Sequence, residues 1–288
     1  MDSLWIAHLA NGLLMIALPI GLGVFLTTRW RLGWRLWLVG GATFILSQVG
    51  HIPFNLGATQ LLNRTSLVTL SPASQRLFNA LFLGLSAGLF EELSRYAMFR
   101  WWLKDARSWR KGVLTGAGHG GAEAILLGAL ALLALLQLAA LRGTDLSTLL
   151  PAEQLELARQ QVAAYWSMPW YDALLGALER LFTIPTQIAL ALIVLQAFTR
   201  KQWFWIDLAI AYHALLDASA LLALPHLGAY RTEALVGGFA VASLGIILLL
   251  RRPEPVPLPE PAAPTPAAAF TLRPVEETPD RLDETRYL

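Results

Sequence analysis

Seven long apolar runs recur along the chain, at about 3–26, 34–56, 77–98, 112–141, 171–199, 203–225 and 233–250. A helix crosses the hydrocarbon core of a bilayer with roughly 20 apolar residues. Each run reaches or approaches that length, and the longer ones have residues to spare for tilt or extension past the membrane. The pattern predicts an all-α, polytopic transmembrane helix bundle of about seven spans. The first run is expected to be a span rather than a cleaved leader. It lacks a basic start, carries Asp2 and runs on too long without a cleavage pattern.

Two segments break the rhythm. Residues 142–170 form a long loop whose middle, from Pro151 to Trp166, has helical spacing of Leu155 and Val162 among polar neighbours. This predicts either an interfacial helix that covers the bundle or a simple connector. Residues 253–288 hold nine of the sixteen prolines and an acidic excess. They cannot build a core and are expected to be a disordered cytosolic tail. The division expected is thus a membrane bundle over 1–252 and a tail over 253–288.

Composition agrees with this picture. The chain is 56% hydrophobic and 15% charged, with a mean hydropathy of +0.51, whereas soluble domains carry about 25% charged residues. It has no cysteine, so a disulfide framework, an iron–sulfur site and a cysteine nucleophile are excluded. Charge placement sets an orientation. One set of short loops carries Arg29, Arg31, Arg35, Arg100, Lys104, Arg107, Arg110, Lys111, Arg200, Lys201, Arg251 and Arg252. The opposite set carries only Arg64, Arg76, Arg142, Arg159 and Arg231. Basic residues concentrate on the cytosolic side, so the N-terminus is expected outside and the C-terminus in the cytosol. Trp30, Trp34, Trp101, Trp102, Trp109, Trp203 and Trp205 fall near the predicted cytosolic ends, where indole rings favour the headgroup layer. An integral protein of a prokaryotic plasma membrane is expected, in contact with lipid and not with nucleic acid.

The informative residues are the charges inside the spans. Glu91, Glu92 and Arg95 lie in the third, His119 and Glu123 in the fourth, and Asp217 with His213 in the sixth. Left alone, Glu91, Glu92, Arg95, Glu123 and Asp217 would cost on the order of 12–17 kcal/mol. They are expected to face inward and to neutralise one another. Glu92 lies eight residues before Arg100, and His119 eight after Lys111, so each is ~12 Å below the basic face at 1.5 Å per residue. His213 lies twelve residues after Lys201, or ~18 Å down. Three helices thus bring polar groups to a similar depth. His213 and Asp217, His119 and Glu123, and Glu91 and Arg95 are each four residues apart and share a helical face. Four carboxylates against one arginine leave a formal charge of −3 with neutral imidazoles. Either some carboxylates are protonated or a divalent cation is bound, and two histidines with carboxylates suit zinc. Glycines surround His119 at 112, 116, 118, 120 and 121. Gly116 and Gly120 make a spacing that lets helices approach closely.

These residues resemble a known group. Phe90-Glu91-Glu92-Leu93-Ser94-Arg95-Tyr96, then Gly116-Ala117-Gly118-His119-Gly120-Gly121-Ala122-Glu123, then His213 and Asp217 are similar to the motifs of the YhfC-like family of intramembrane metalloproteases. That family looks related to the CAAX-processing, bacteriocin-processing and PrsW-type proteases. The likeness covers about residues 40–250. It implies that the glutamate pair supplies the general base, Glu91 matching the first glutamate and Glu92 the second. It implies that His119 and His213 bind metal, or the water and oxyanion, and that Asp217 matches the last acidic or amide position. Two residues separate the glutamate pair from Arg95, as in the PrsW pattern and unlike the three of CAAX-type enzymes. His119 and Glu123 combine two versions of the second motif.

The expected activity is a metal-dependent endopeptidase acting on membrane proteins or peptides through glutamate-activated water. Glu91, Glu92 and Arg95 are the catalytic candidates, and His119, His213 and Asp217 the metal candidates, with Glu123 as a ligand or supporting partner. Glu179 and Arg180 in the fifth span are expected to be a structural pair near the outer face. His51, with Gln48 and Asn55, is expected to hydrogen-bond between helices. Other functions fit the same residues. A proton- or ion-coupled transporter would use them as a relay, although no internal repeat is visible. A non-catalytic membrane partner would keep them as buried ion pairs that fix packing.

Overall fold

The computed structural model describes residues 3–64 and 71–252. Eight long helices follow in order: α1 Ser3–Trp30, α2 Arg35–Leu62, α3 Pro72–Ala97, α4 Trp109–Leu141, α5 Ala152–Ser167, α6 Leu175–Thr199, α7 Phe204–Leu227 and α8 Ala229–Leu249. No strand occurs among the described residues. Local chemistry explains several ends. The Ser71 side chain caps α3 by accepting from the Ser74 N–H, and Pro72 takes the first helical position, where no N–H is needed. A single π turn, Met98–Trp102, ends that helix. Gly228, at φ +75°, both closes α7 and opens α8, a backbone conformation that glycine alone enters freely.

Six of the helices are long and apolar enough to cross a membrane: α1, α3, α4, α6, α7 and α8. This agrees roughly with the seven spans expected. The exception is α2, which has 28 residues but is diluted by Gln48, His51, Asn55 and Gln60. α5 occupies the middle of the 142–170 loop and buries none of its residues. The tail expected over 253–288 lies outside the described residues.

α6 is the central element. From Leu181 on it carries no charge, and it buries two to four times as much of its span as the other five, the pattern of a surrounded helix. α4 packs on it, α1 packs on both α4 and α6, α2 packs on α4, α3 pairs with α7, and α8 closes over α6. The α2–α4 contact is close because neither helix has a side chain there. A Cβ on Gly118 would stand 1.9 Å from the Trp37 carbonyl oxygen, and one on Gly40 would stand 2.1 Å from that of Thr115. Gly116 and Gly120 do the same toward α6, against Ile188 and Gln187.

Aromatic and basic side chains tie the loop ends together. At one end, Trp30 meets Trp109 edge to face, Arg35 donates to the Trp102 carbonyl, and the Trp109 indole donates to the Ile247 carbonyl. At the other, His8 stacks on Tyr165, the Trp166 indole donates to the Leu138 carbonyl, and Arg142 lies over the Trp166 ring.

Candidate functional site

The charged residues of the third span all turn inward. Glu91, Glu92 and Arg95 are 6%, 0% and 0% exposed, and His119 and His213 are 1% and 4% exposed. α3, α4 and α7 thus bring an acidic pair, an arginine and two imidazoles into one buried cluster. Desolvation on this scale is tolerated only where partners replace water.

Partners are present, and they separate the two glutamates. Glu92 Oε1 accepts from Arg95 Nη1 and from His213 Nδ1, the latter at 2.7 Å. Glu91 turns its Oε2 to His119 Nε2 at 3.0 Å and to Arg95 Nη2 at 3.5 Å, and lies 4.0 Å from His213 Nε2. Its Oε1 accepts from Gln48 at 3.2 Å. Asp217 Oδ2 stands 3.6 Å from His213 Nε2. The Glu92 carboxylate accepts from His213, so a hydrogen sits on Nδ1, while Nε2 faces Glu91 and Asp217. Phe44 backs the His119 ring edge to face at 5.4 Å.

Of the remaining expected residues, Glu123 does not join this cluster directly. Its carboxylate accepts from Arg180 Nη1 at 2.6 Å and from Gln187 at 2.7 Å. Arg180 also donates to Glu179. His51 lies at the margin, 3.1 Å from the Ser86 hydroxyl, with Asn55 at 2.8 Å and Gln48 at 3.4 Å. Gln187 carries the connection. Its side-chain oxygen accepts from Arg95 while its amide donates to Glu123. Gln187 and Ser86 were absent from the expected set. The signal for Gln187 is weak: it is a neutral amide two positions after Pro185 in the uncharged stretch 181–199.

The chemistry of the donors suits a divalent metal ion. Both Nε2 atoms approach one Glu91 oxygen, and Asp217 adds a second carboxylate. Of the proposed ligands, His213 Nε2 and Asp217 Oδ2 stand 3.6 Å apart, near the ~3.3 Å between ligands of a tetrahedral site with bonds near 2.0 Å. Because Glu123 is matched by Arg180, the cluster counts Glu91, Glu92 and Asp217 against Arg95. That leaves −2 with neutral imidazoles, which one divalent cation would balance. His119 Nδ1 and Glu92 Oε2 are buried with no hydrogen-bond partner. The donors approach one another in pairs, however, and among the described residues no group of three or more is arranged to hold a metal ion.

Comparisons with known proteins bear on these residues. A family model described as YhfC intramembrane metalloprotease matches residues 14–240. A Bacillus subtilis (strain 168) protein described as the uncharacterized membrane protein YhfC is 31% identical over 217 residues. The match covers 74% of this chain and 82% of that relative. No solved structure matches.

Proposed function

Since the chain belongs to the YhfC intramembrane metalloprotease family, we propose that it is a metal-dependent endopeptidase of the bacterial plasma membrane, cutting membrane-associated polypeptides with water activated by Glu91. The observation that carries this reading is the convergence of His119 Nε2 and His213 Nε2 on a single Glu91 oxygen, at 3.0 and 4.0 Å, inside an apolar bundle.

The residues divide the work as follows. His119, His213 and Asp217 would hold the metal, which when bound supplies a Lewis acid for the scissile carbonyl and a more acidic water. Glu91 accepts the proton of the attacking water and passes it to the leaving amine. Glu92 holds the imidazole of His213 in one tautomer and one orientation. Arg95 spans both carboxylates and holds Glu91 in place. Asp217 and His51 are the half-covered members of the set, so water and the peptide reach Glu91 from their side.

The test is cleavage of membrane-anchored peptide libraries by the full chain in liposomes. Glu91→Gln is expected to lower turnover about 10²–10⁴-fold with the fold intact by circular dichroism. Undiminished cleavage would end the assignment. A second reading rests on the unbroken polar chain from Asp217 through His213, Glu92, Arg95, Gln187 and Glu123 to Arg180. Such a chain suits a proton relay. Proton flux into liposomes without peptide hydrolysis would favour it over the peptidase.

A further inference from the structure

A separate cavity of about 320 Å³ opens where α3, α6 and α7 end, lined by Tyr96, Arg100, Ala197, Phe198, Lys201 and Trp203. Its volume falls at the low end of the ~300–1,000 Å³ range of small-molecule sites. Tyr96 forms one wall, stacked on Phe198 at 5.0 Å and tilted against Trp203 at 4.9 Å. Two cations stand at this wall, and the lining includes no carboxylate.

The neighbouring charges are already engaged. Arg107 lies over Phe198 and donates to the Phe99 and Leu103 carbonyls. Arg200 lies over Trp205 and donates to Gln196. Asp105 faces Arg35 and Lys111. Among the described residues, Arg100 and Lys201 have neither an ion-pair nor a hydrogen-bond partner. Lys201 also adopts φ +56°, just past the end of α6, a position that usually goes to glycine. A lysine that lines the cavity is held there against backbone preference.

The depth of the cavity selects the ligand. Trp203 of the lining and the chain neighbours Trp101, Trp102 and Phe204 are 50–66% exposed, the aromatic belt of a headgroup layer. Leu89 and Leu93 lie seven and three residues before Tyr96, share its helical face and are 40% and 43% exposed. An acyl chain can therefore lie along α3 directly below the cations. We propose that this cavity binds the phosphate of an anionic phospholipid, through Arg100 and Lys201, with the glycerol and headgroup against Tyr96 and Trp203. Basic pockets between transmembrane helices hold lipid phosphates in this way. The site is distinct from the buried glutamate–histidine cluster and stands whether or not that cluster cleaves peptides.

The test uses the full chain in nanodiscs of phosphatidylcholine containing spin-labelled phosphatidylglycerol, with the immobilised label as readout. Arg100→Gln and Lys201→Gln are each expected to weaken retention about fivefold, and the pair about thirtyfold. Lys201→Gly removes the charge while suiting the backbone. It should match Lys201→Gln in lost lipid and fold at least as stably. Lys104→Gln, a cation at the same end but outside the lining, should leave retention unchanged. Retention unaffected by the double variant, or lost equally in Lys104→Gln, would overturn the site. Displacement of the label by inorganic phosphate at equal concentration would show a free-phosphate site and overturn the lipid assignment.

Discussion

Glu91 and Glu92 are adjacent, yet a helix turns ~100° per residue, so one faces His119 and the other His213 Nδ1. The proposed roles follow from that rotation, and they predict unequal variants. Glu92→Gln keeps a hydrogen-bonding side chain beside His213 and should retain part of the activity that Glu91→Gln loses, measured as cleavage by equal amounts of folded protein. Arg95 is the structural counterweight. Replacing it with methionine leaves two buried carboxylates without their arginine, and breaking such a pair costs about 3–5 kcal/mol. Arg95→Met should lower the midpoint of thermal unfolding in detergent; an unchanged midpoint would mean that the pair contributes nothing to the fold. At this scale the charged residues were legible because a charge in a span is expensive. Gln187 was not. A neutral amide perturbs an apolar run far less, and only the packed helices reveal that it joins Arg95 to Glu123.

Helices met their expected limits within about six residues, since apolar length and the basic loops are local signals; the start of α3 at Pro72 and the α7–α8 break at Gly228 were not anticipated. The helix inside 142–170 formed over Ala152–Ser167, close to the predicted Pro151–Trp166. Which helices touch was harder to foresee. In lipid, helix pairing depends on close packing of small residues rather than on hydrophobic contrast, and this chain has glycines in most of its helices. The ones that matter are identified by what a methyl would meet. Gly118→Ala drives a Cβ into the Trp37 carbonyl, so α2 and α4 must separate and His119, the next residue, must shift. We expect a loss of at least about 1–3 kcal/mol from overpacking, together with a fall in activity. Gly238→Ala, where nothing lies within 4 Å, should be neutral or stabilising by up to about 1 kcal/mol through helix propensity. Equal thermal shifts for the two variants would contradict the close α2–α4 packing.

Over the whole molecule, rise per residue and the basic loop ends are enough to place the polar groups of α3, α4 and α7 at a similar level. They do not give the order of packing around α6, which depends on shape along whole helices. The sidedness of the bundle is a proposal that the chain makes easy to check, as it contains no cysteine. Single cysteines at Lys104 and Arg159 should label from opposite faces of intact cells, Arg159 from outside. Labelling of both from one side would refute the orientation. The central claim, that the buried glutamate–histidine cluster is a metal-dependent hydrolytic centre, is tested most directly by metal analysis of the purified full chain after equilibration with zinc and removal of free ion. The account predicts about one zinc per wild-type chain, lost in His119→Ala and in His213→Ala while both remain folded. A folded wild-type chain that retains no metal, or histidine variants that retain as much as the wild type, would contradict it.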